Sequence, residues 1–251
     1  MSDKKRVFAR AAAVLLALCA WQIVSLCVDS SIVLVGPVEV IKRMGSIWRE
    51  ADFWSSVGTS FAHIAGGFLL ALILGVLLAA LAGRFELVEI ALRPFLITIK
   101  TVPVASFVVI CLMWLSAERL SVFISFLIVL PVIYGNLLEG IKNTDRAMLE
   151  LGRVYRMPLF KRIIYIRIPE LKPFITSACE TALGMAWKAG VAAEIIGTPE
   201  HSLGRQLYLA KIYLDTDDLF CWTLVIVIVS VAFEKLFMLL LRGAYRRLED
   251  V

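Results

Sequence analysis

Histidine is almost missing from this 251-residue chain: His63 and His201 are the two present, and neither has a second His or a Cys at ligand spacing. The five cysteines (Cys19, Cys27, Cys111, Cys179 and Cys221) form no CxxC pair and lie in or beside apolar runs. No metal site and no disulfide framework is therefore indicated, and buried structural thiols are expected. No GxSxG turn supplies a nucleophile for hydrolysis within a membrane. No GxxxxGK[ST] loop cradles a nucleotide phosphate. The chain is thus read as neither an enzyme nor the holder of a cofactor. Charge is scarce too, at 19% of residues, and there are no low-complexity tracts, repeats or soluble domain.

What remains is apolar. The hydrophobic fraction is 60% and the mean hydropathy +0.85, well beyond ordinary soluble composition. A helix needs about 20 mainly apolar residues to cross a bilayer. Six segments meet this: 7–27, 57–82, 88–115 (interrupted by Pro94 and Pro103), 120–138, 173–196 and 219–241. The runs are long, unbroken and rich in Leu and Ala, not alternating, which predicts an all-α membrane protein and argues against sheets. The first run could instead be a signal peptide, but it is longer than the usual apolar core of one and no small-residue cleavage site follows cleanly.

Lysine and arginine placement sets orientation. With the N-terminus inside, the inner segments carry fifteen Lys plus Arg and the outer ones six. Both termini are therefore expected in the cytoplasm, and the net charge of +5 reflects topology, not nucleic-acid binding. In the outer segments, Val38, Ile41, Met44, Ile47 and Trp48 recur at helical spacing, as do Leu207, Ala210 and Tyr213 or Leu214. Two amphipathic helices at the outer interface are expected.

The longest inner loop, 142–172, falls between the fourth and fifth spans. Asn143, Thr144 and Asp145 offer cap oxygens. Ala147, Leu151, Val154 and Tyr155 follow in one stripe, and Pro158 ends that helix. Phe160, Ile163, Ile164 and Ile168 predict a second short helix, stopped at Pro169. Periodicity alone fits two readings equally: a docking surface for a partner groove, or helices resting on anionic lipid.

Glu150, Leu151, Gly152, Ile166, Ile168 and Pro169 stand at the spacing of a motif that reads Glu-Ala-Ala, three residues, Gly, nine residues, Ile, any residue, Leu, Pro. On this ground the loop resembles the coupling loop in the permease subunits of bacterial ABC importers. "GTSFAHIAGGFLLALILGVLLAALAGR", "IKTVPVASFVVICLMWL", "AWKAGVAAEIIG" and "DTDDLFCWTLVIVIVSVAFEKLF" resemble segments of the nitrate, sulfonate and taurine permease group. The resemblance covers about residues 37–247, leaving 1–36 as a first span with the start of an outer loop and 248–251 as a tail. It implies two permease copies in the cytoplasmic membrane, a separate ATP-binding subunit inside and a substrate-binding protein outside. Tyr155 and Pro158, with the motif residues, would contact the ATPase. Arg156 stands where the motif has glycine, so the loop is expected to turn at Met157-Pro158 instead.

Charges within spans are costly and face a cavity or a partner. Lys100, beside the helix-breaking Pro103, and Lys188, beside Trp187, are candidates to line a path for a small anionic or heterocyclic solute, together with Glu194. Packing roles compete for each. His63 is expected to be hydrogen-bonded, and Gly66, Gly67, Gly75, Gly184 and Gly190 to serve close helix packing. A self-contained secondary transporter or channel is the competing class, though it would need broken helices in both halves.

Overall fold

The computed structural model of the chain describes residues 3–28 and 33–249; positions 250 and 251 of the expected tail lie outside them. Every regular element described is helical. In order these are α1 (Asp3–Val28), α2 (Pro37–Ile47), α3 (Phe53–Arg84), α4 (Glu86–Thr101), α5 (Val104–Cys111), α6 (Ala117–Lys142), α7 (Arg146–Val154), α8 (Leu159–Arg162), a π-helical segment (Ile163–Arg167), α9 (Ile168–Gly197), α10 (Leu203–Ile212) and α11 (Thr216–Glu249).

The apolar run 88–115 is not one straight span: α4 and α5 meet at 103°. Pro103 cannot donate to the ladder, and it holds Val102 in extended backbone (φ −72°, ψ 130°). Pro94 is absorbed inside α4, where Thr98 Oγ1 donates to the Pro94 carbonyl at 2.9 Å. Among the described residues, α3, α6 and α11 are long and apolar enough to cross a membrane, and the bent pair makes a fourth if counted as one span. The apolar part of α1, Ala12–Val28, is shorter. The 30-residue α9 is interrupted by Glu180, Lys188 and Glu194.

The core is built around α6, which lies between α3 and α9. Close approach of α3 and α6 depends on missing side chains at Gly67, Gly75 and Gly83, which face Val122, Ile133 and Ile141. A Cβ at Gly67 would stand 2.4 Å from the Val122 carbonyl oxygen. Gly67→Val is therefore expected to cost roughly 1–3 kcal/mol through overpacking, read as a lower thermal midpoint in detergent. Gly190 packs against Ile64 and Ser125 in the same way, whereas Gly66 and Gly184 face open space.

Elsewhere in the core Phe61, Phe68, Phe233 and Phe237 meet edge to face, with Trp187 against Phe61 and Phe233. On α2, Val40 and Ile47 turn inward while Val38, Ile41 and Trp48 are exposed, so the expected stripe is split between protein and surroundings. Arg43 on the same helix joins Asp218 at the start of α11 and Glu50. Tyr213 and Leu214 lie past the end of α10 and are exposed, while Ala210 is buried. Three cysteines are buried as expected, but Cys19 and Cys27 are exposed on α1.

Candidate functional site

The loop 142–172 is a folded helical hairpin. Asp145 Oδ1 accepts from the Ala147 amide at 2.9 Å, capping α7. Glu170 Oε2 accepts from the Asp145 amide at 3.2 Å and so ties the start of α7 to the start of α9.

At its far end α7 closes in a left-handed turn. Tyr155 N–H bonds to the Leu151 carbonyl and Met157 N–H to the Gly152 carbonyl, each at 3.0 Å, with Arg156 at φ 51°. This is the helix ending that usually carries glycine. The expectation of a turn at Met157-Pro158 is thereby corrected: Arg156 itself takes the glycine conformation, which brings the Met157 N–H onto the Gly152 carbonyl, one of the last carbonyls of α7. Pro158 follows as the extended cap of α8. A side chain in this region costs roughly 1–2 kcal/mol. Arg156→Gly is thus expected to keep the turn and slow amide exchange in α7 by about fivefold.

Pro169 does not stop the second helix. The chain is helical without a break from Leu159 to Gly197, and the Ile168 amide bonds five residues back to the Ile163 carbonyl. The ladder changes register just before Pro169, so the missing N–H falls at the junction. The loop's second arm and α9 are consequently one continuous lever. Gly152 is buried where α7 crosses it: a Cβ there would meet Ile166 Cδ1 at 3.0 Å and Arg162 Cδ at 3.1 Å. Gly152 and Ile166 lock the hairpin together, Ile168 is half-buried, and Glu150, Arg156, Pro158 and Pro169 are exposed.

Large apolar side chains crowd the tip with nothing over them. Val154, Tyr155, Leu159 and Phe160 are 77%, 73%, 71% and 73% exposed, and Leu151 and Met148 extend the patch along α7. Isolated exposed leucines are ordinary on a protein surface, but a contiguous patch of this kind marks an interaction site.

The intramembrane candidates separate. Trp187 is in the aromatic core described above, and Glu194 is fully buried near the C-terminal end of α9. Glu194 Oε2 accepts from Ser60 Oγ at 2.7 Å and from the Gly204 amide at 3.1 Å, while Ser60 Oγ accepts from the Leu203 amide at 2.8 Å. These bonds pin the start of α10 to α3 and α9. Lys188 points away from Trp187 and is exposed, in line with Ser177, Glu180, Thr181 and Gly184, which form a polar stripe on an uncovered face of α9. Lys100 borders a crevice between α4 and α6 and Pro103 forms the bend above it. His63 Nδ1 is buried without a partner, contrary to the expected hydrogen bond. Arg93 and Tyr134 line the crevice with Lys100. Neither carries a motif, although the seven-residue spacing of Arg93 and Lys100, two helical turns, is a readable sign of a shared face. No cluster of metal-ligating side chains occurs among the described residues.

Residues 71–250 match the family described as binding-protein-dependent transport system inner membrane component. An aliphatic sulfonates transport permease protein of Bacillus subtilis (strain 168) is 27% identical over 213 residues, 84% of this chain and 76% of the relative. A nitrate import permease protein of Synechococcus elongatus is 26% identical over 187 residues, 70% of this chain and 67% of the relative. The crystal structure of an amino acid ABC transporter with histidines superposes with a TM-score of 0.54 at 18% identity, covering 85% of this chain and 99% of that one. The last likeness is one of fold.

Proposed function

Because the chain belongs to the family of binding-protein-dependent transport system inner membrane components, we propose that it is the membrane-spanning permease subunit of an ATP-driven importer. It forms the path for a small anionic or heterocyclic solute delivered by an extracytoplasmic substrate-binding protein. A separate ATP-binding cassette subunit hydrolyses ATP, and residues 144–169 couple the two. The subunit sits as a homodimer in the bacterial cytoplasmic membrane, with six spans and both termini in the cytoplasm. α1 and α9 supply the spans that hydropathy leaves short, and a second copy or water faces the polar stripe of α9.

One observation carries the coupling: the uncovered apolar tip at Val154, Tyr155, Leu159 and Phe160. An amphipathic helix seated in a partner's groove needs such a face. A lipid-resting helix would lay its stripe parallel to the bilayer, whereas here the patch wraps around the turn between two arms. The lever from Leu159 to Gly197 then carries motion of the ATPase directly into α9. Both ATPase states must hold the tip while the spans exchange packing. The test is purification of the tagged chain from its native membrane: an ATPase with a Walker-A loop is expected to accompany it, and its absence from the wild-type preparation would remove the reading.

A further inference from the structure

The crevice between α4 and α6 holds positive charge that no acid among the described residues neutralises. It encloses about 470 Å³, within the range of small-molecule sites. Arg93 and Lys100 border it from one side of α4, and neither has an acid or other acceptor among the described residues. Glu89, the acid at its rim, is held by Lys142 at 2.6 Å, so its charge is already answered. Across from them on α6, Tyr134 is 6% exposed and its hydroxyl is buried without a partner. The next residue, Gly135, keeps the floor open: Lys100 Nζ lies 3.8 Å from where a Cβ would stand.

Both cations are exposed, and on the permease reading they lie within the run 88–115, where a charge is costly and marks an ion or substrate pathway. A buried hydroxyl without a partner adds a penalty of its own. Water can relieve each group singly. A ligand with several acceptor oxygens on one centre relieves all three together, with the planar guanidinium and the ammonium supplying charge-assisted bonds. A neutral heterocycle would leave both charges unanswered. We propose that this crevice binds a small oxyanion, of the nitrate or sulfonate type, between Arg93, Lys100 and the Tyr134 hydroxyl. The inference rests on the permease reading and selects the anionic solute from its two classes; Arg93 and Tyr134 are its binding residues beside Lys100.

The test uses the permease purified with its ATPase and reconstituted in vesicles of zwitterionic lipid, probed with nitrate and with ethanesulfonate. Saturable binding of at least one of them to the wild type is expected. Lys100→Gln and Arg93→Gln should each weaken it about tenfold, as expected for loss of a charge-assisted bond. Tyr134→Phe should weaken it severalfold, and Lys100→Arg should retain most of it. The thermal midpoint and the retained ATPase, measured on the same samples, separate lost binding from lost folding. Binding unchanged in all three weakening variants would overturn the inference. So would equal, Lys100-insensitive binding of a neutral pyrimidine. A second arm adds anionic lipid: competition that removes the oxyanion and leaves lipid bound through Lys100 would make the crevice a headgroup seat and contradict the proposal. If the wild type carries no ATPase, the permease reading itself fails, whatever the anion does.

Discussion

Joint replacement Val154→Asp and Phe160→Asp is expected to strip the ATPase from the purified chain and abolish ATP-driven uptake, with the thermal midpoint of the chain unchanged. Both side chains are more than 70% exposed, so neither contributes to the fold and a carboxylate at either position stays hydrated in the free chain. In a partner's groove the same side chains would be buried, each contributing about 1.5–3 kcal/mol. Losing both, before any penalty for desolvating a carboxylate, weakens association by roughly 10²–10⁴-fold. Lys161→Ala, an exposed charge next to Phe160 in sequence, is the control and should change affinity by less than about fivefold. Retention of the ATPase by the double variant, measured by pull-down, would show that the tip does not dock.

Glu194→Ala is expected to be the most destabilising single change where α3, α9 and α10 meet, by about 3–5 kcal/mol. It removes the acceptor for Ser60 Oγ and for the Gly204 amide, leaves two buried donors unsatisfied and opens a cavity. Gly204 packs so closely on Glu194 that a Cβ at Gly204 would lie 2.3 Å from the glutamate Cβ, so the surrounding backbone has little room to close the gap. Faster proteolysis across 198–202 should accompany the lower thermal midpoint, because that connection is held through Ser60 and Glu194. Glu194→Gln keeps an oxygen that can accept both bonds and should cost much less. Equal losses for Ala and Gln would mean that the negative charge, not the hydrogen bonds, matters.

These two predictions rest on features of different legibility. The helices of the membrane core are written in long apolar runs, because hydrophobicity is a property of each residue and survives without knowledge of neighbours. The hairpin at 142–172 was readable for a similar reason: caps, stripe and prolines act locally, and the spacing from Glu150 to Pro169 adds the order of the two arms. Where the reading failed, competition between local rules decided. A non-glycine residue disfavours φ > 0, yet Arg156 adopts it in the turn that satisfies the Gly152 carbonyl. Proline ordinarily ends a helix, yet the change to π register makes room for Pro169. At Val102-Pro103 the same rule won and split the run 88–115 into α4 and α5.

The intramembrane charges were harder to place because a polar residue in a span says only that it needs a partner, not which one. Glu194 finds Ser60 across 134 positions of sequence, and no local pattern on either helix announces the pair. Trp187 and Lys188 are neighbours in sequence but point about 100° apart around α9, so the one joins the core and the other the polar stripe. Arg93 and Lys100 share a face that spacing reveals, but Tyr134 joins them only through the packing of α4 on α6.

The central claim is that this chain moves solute only when an ATPase works on its cytoplasmic tip. The most direct measurement is uptake into proteoliposomes by the purified chain, alone and with the ATPase that accompanies it, each with and without ATP and with and without a solute-loaded binding protein. Uptake is expected only when the ATPase, ATP and a loaded binding protein are all present. Solute carried by the chain alone, down its own gradient and without ATP, would contradict it.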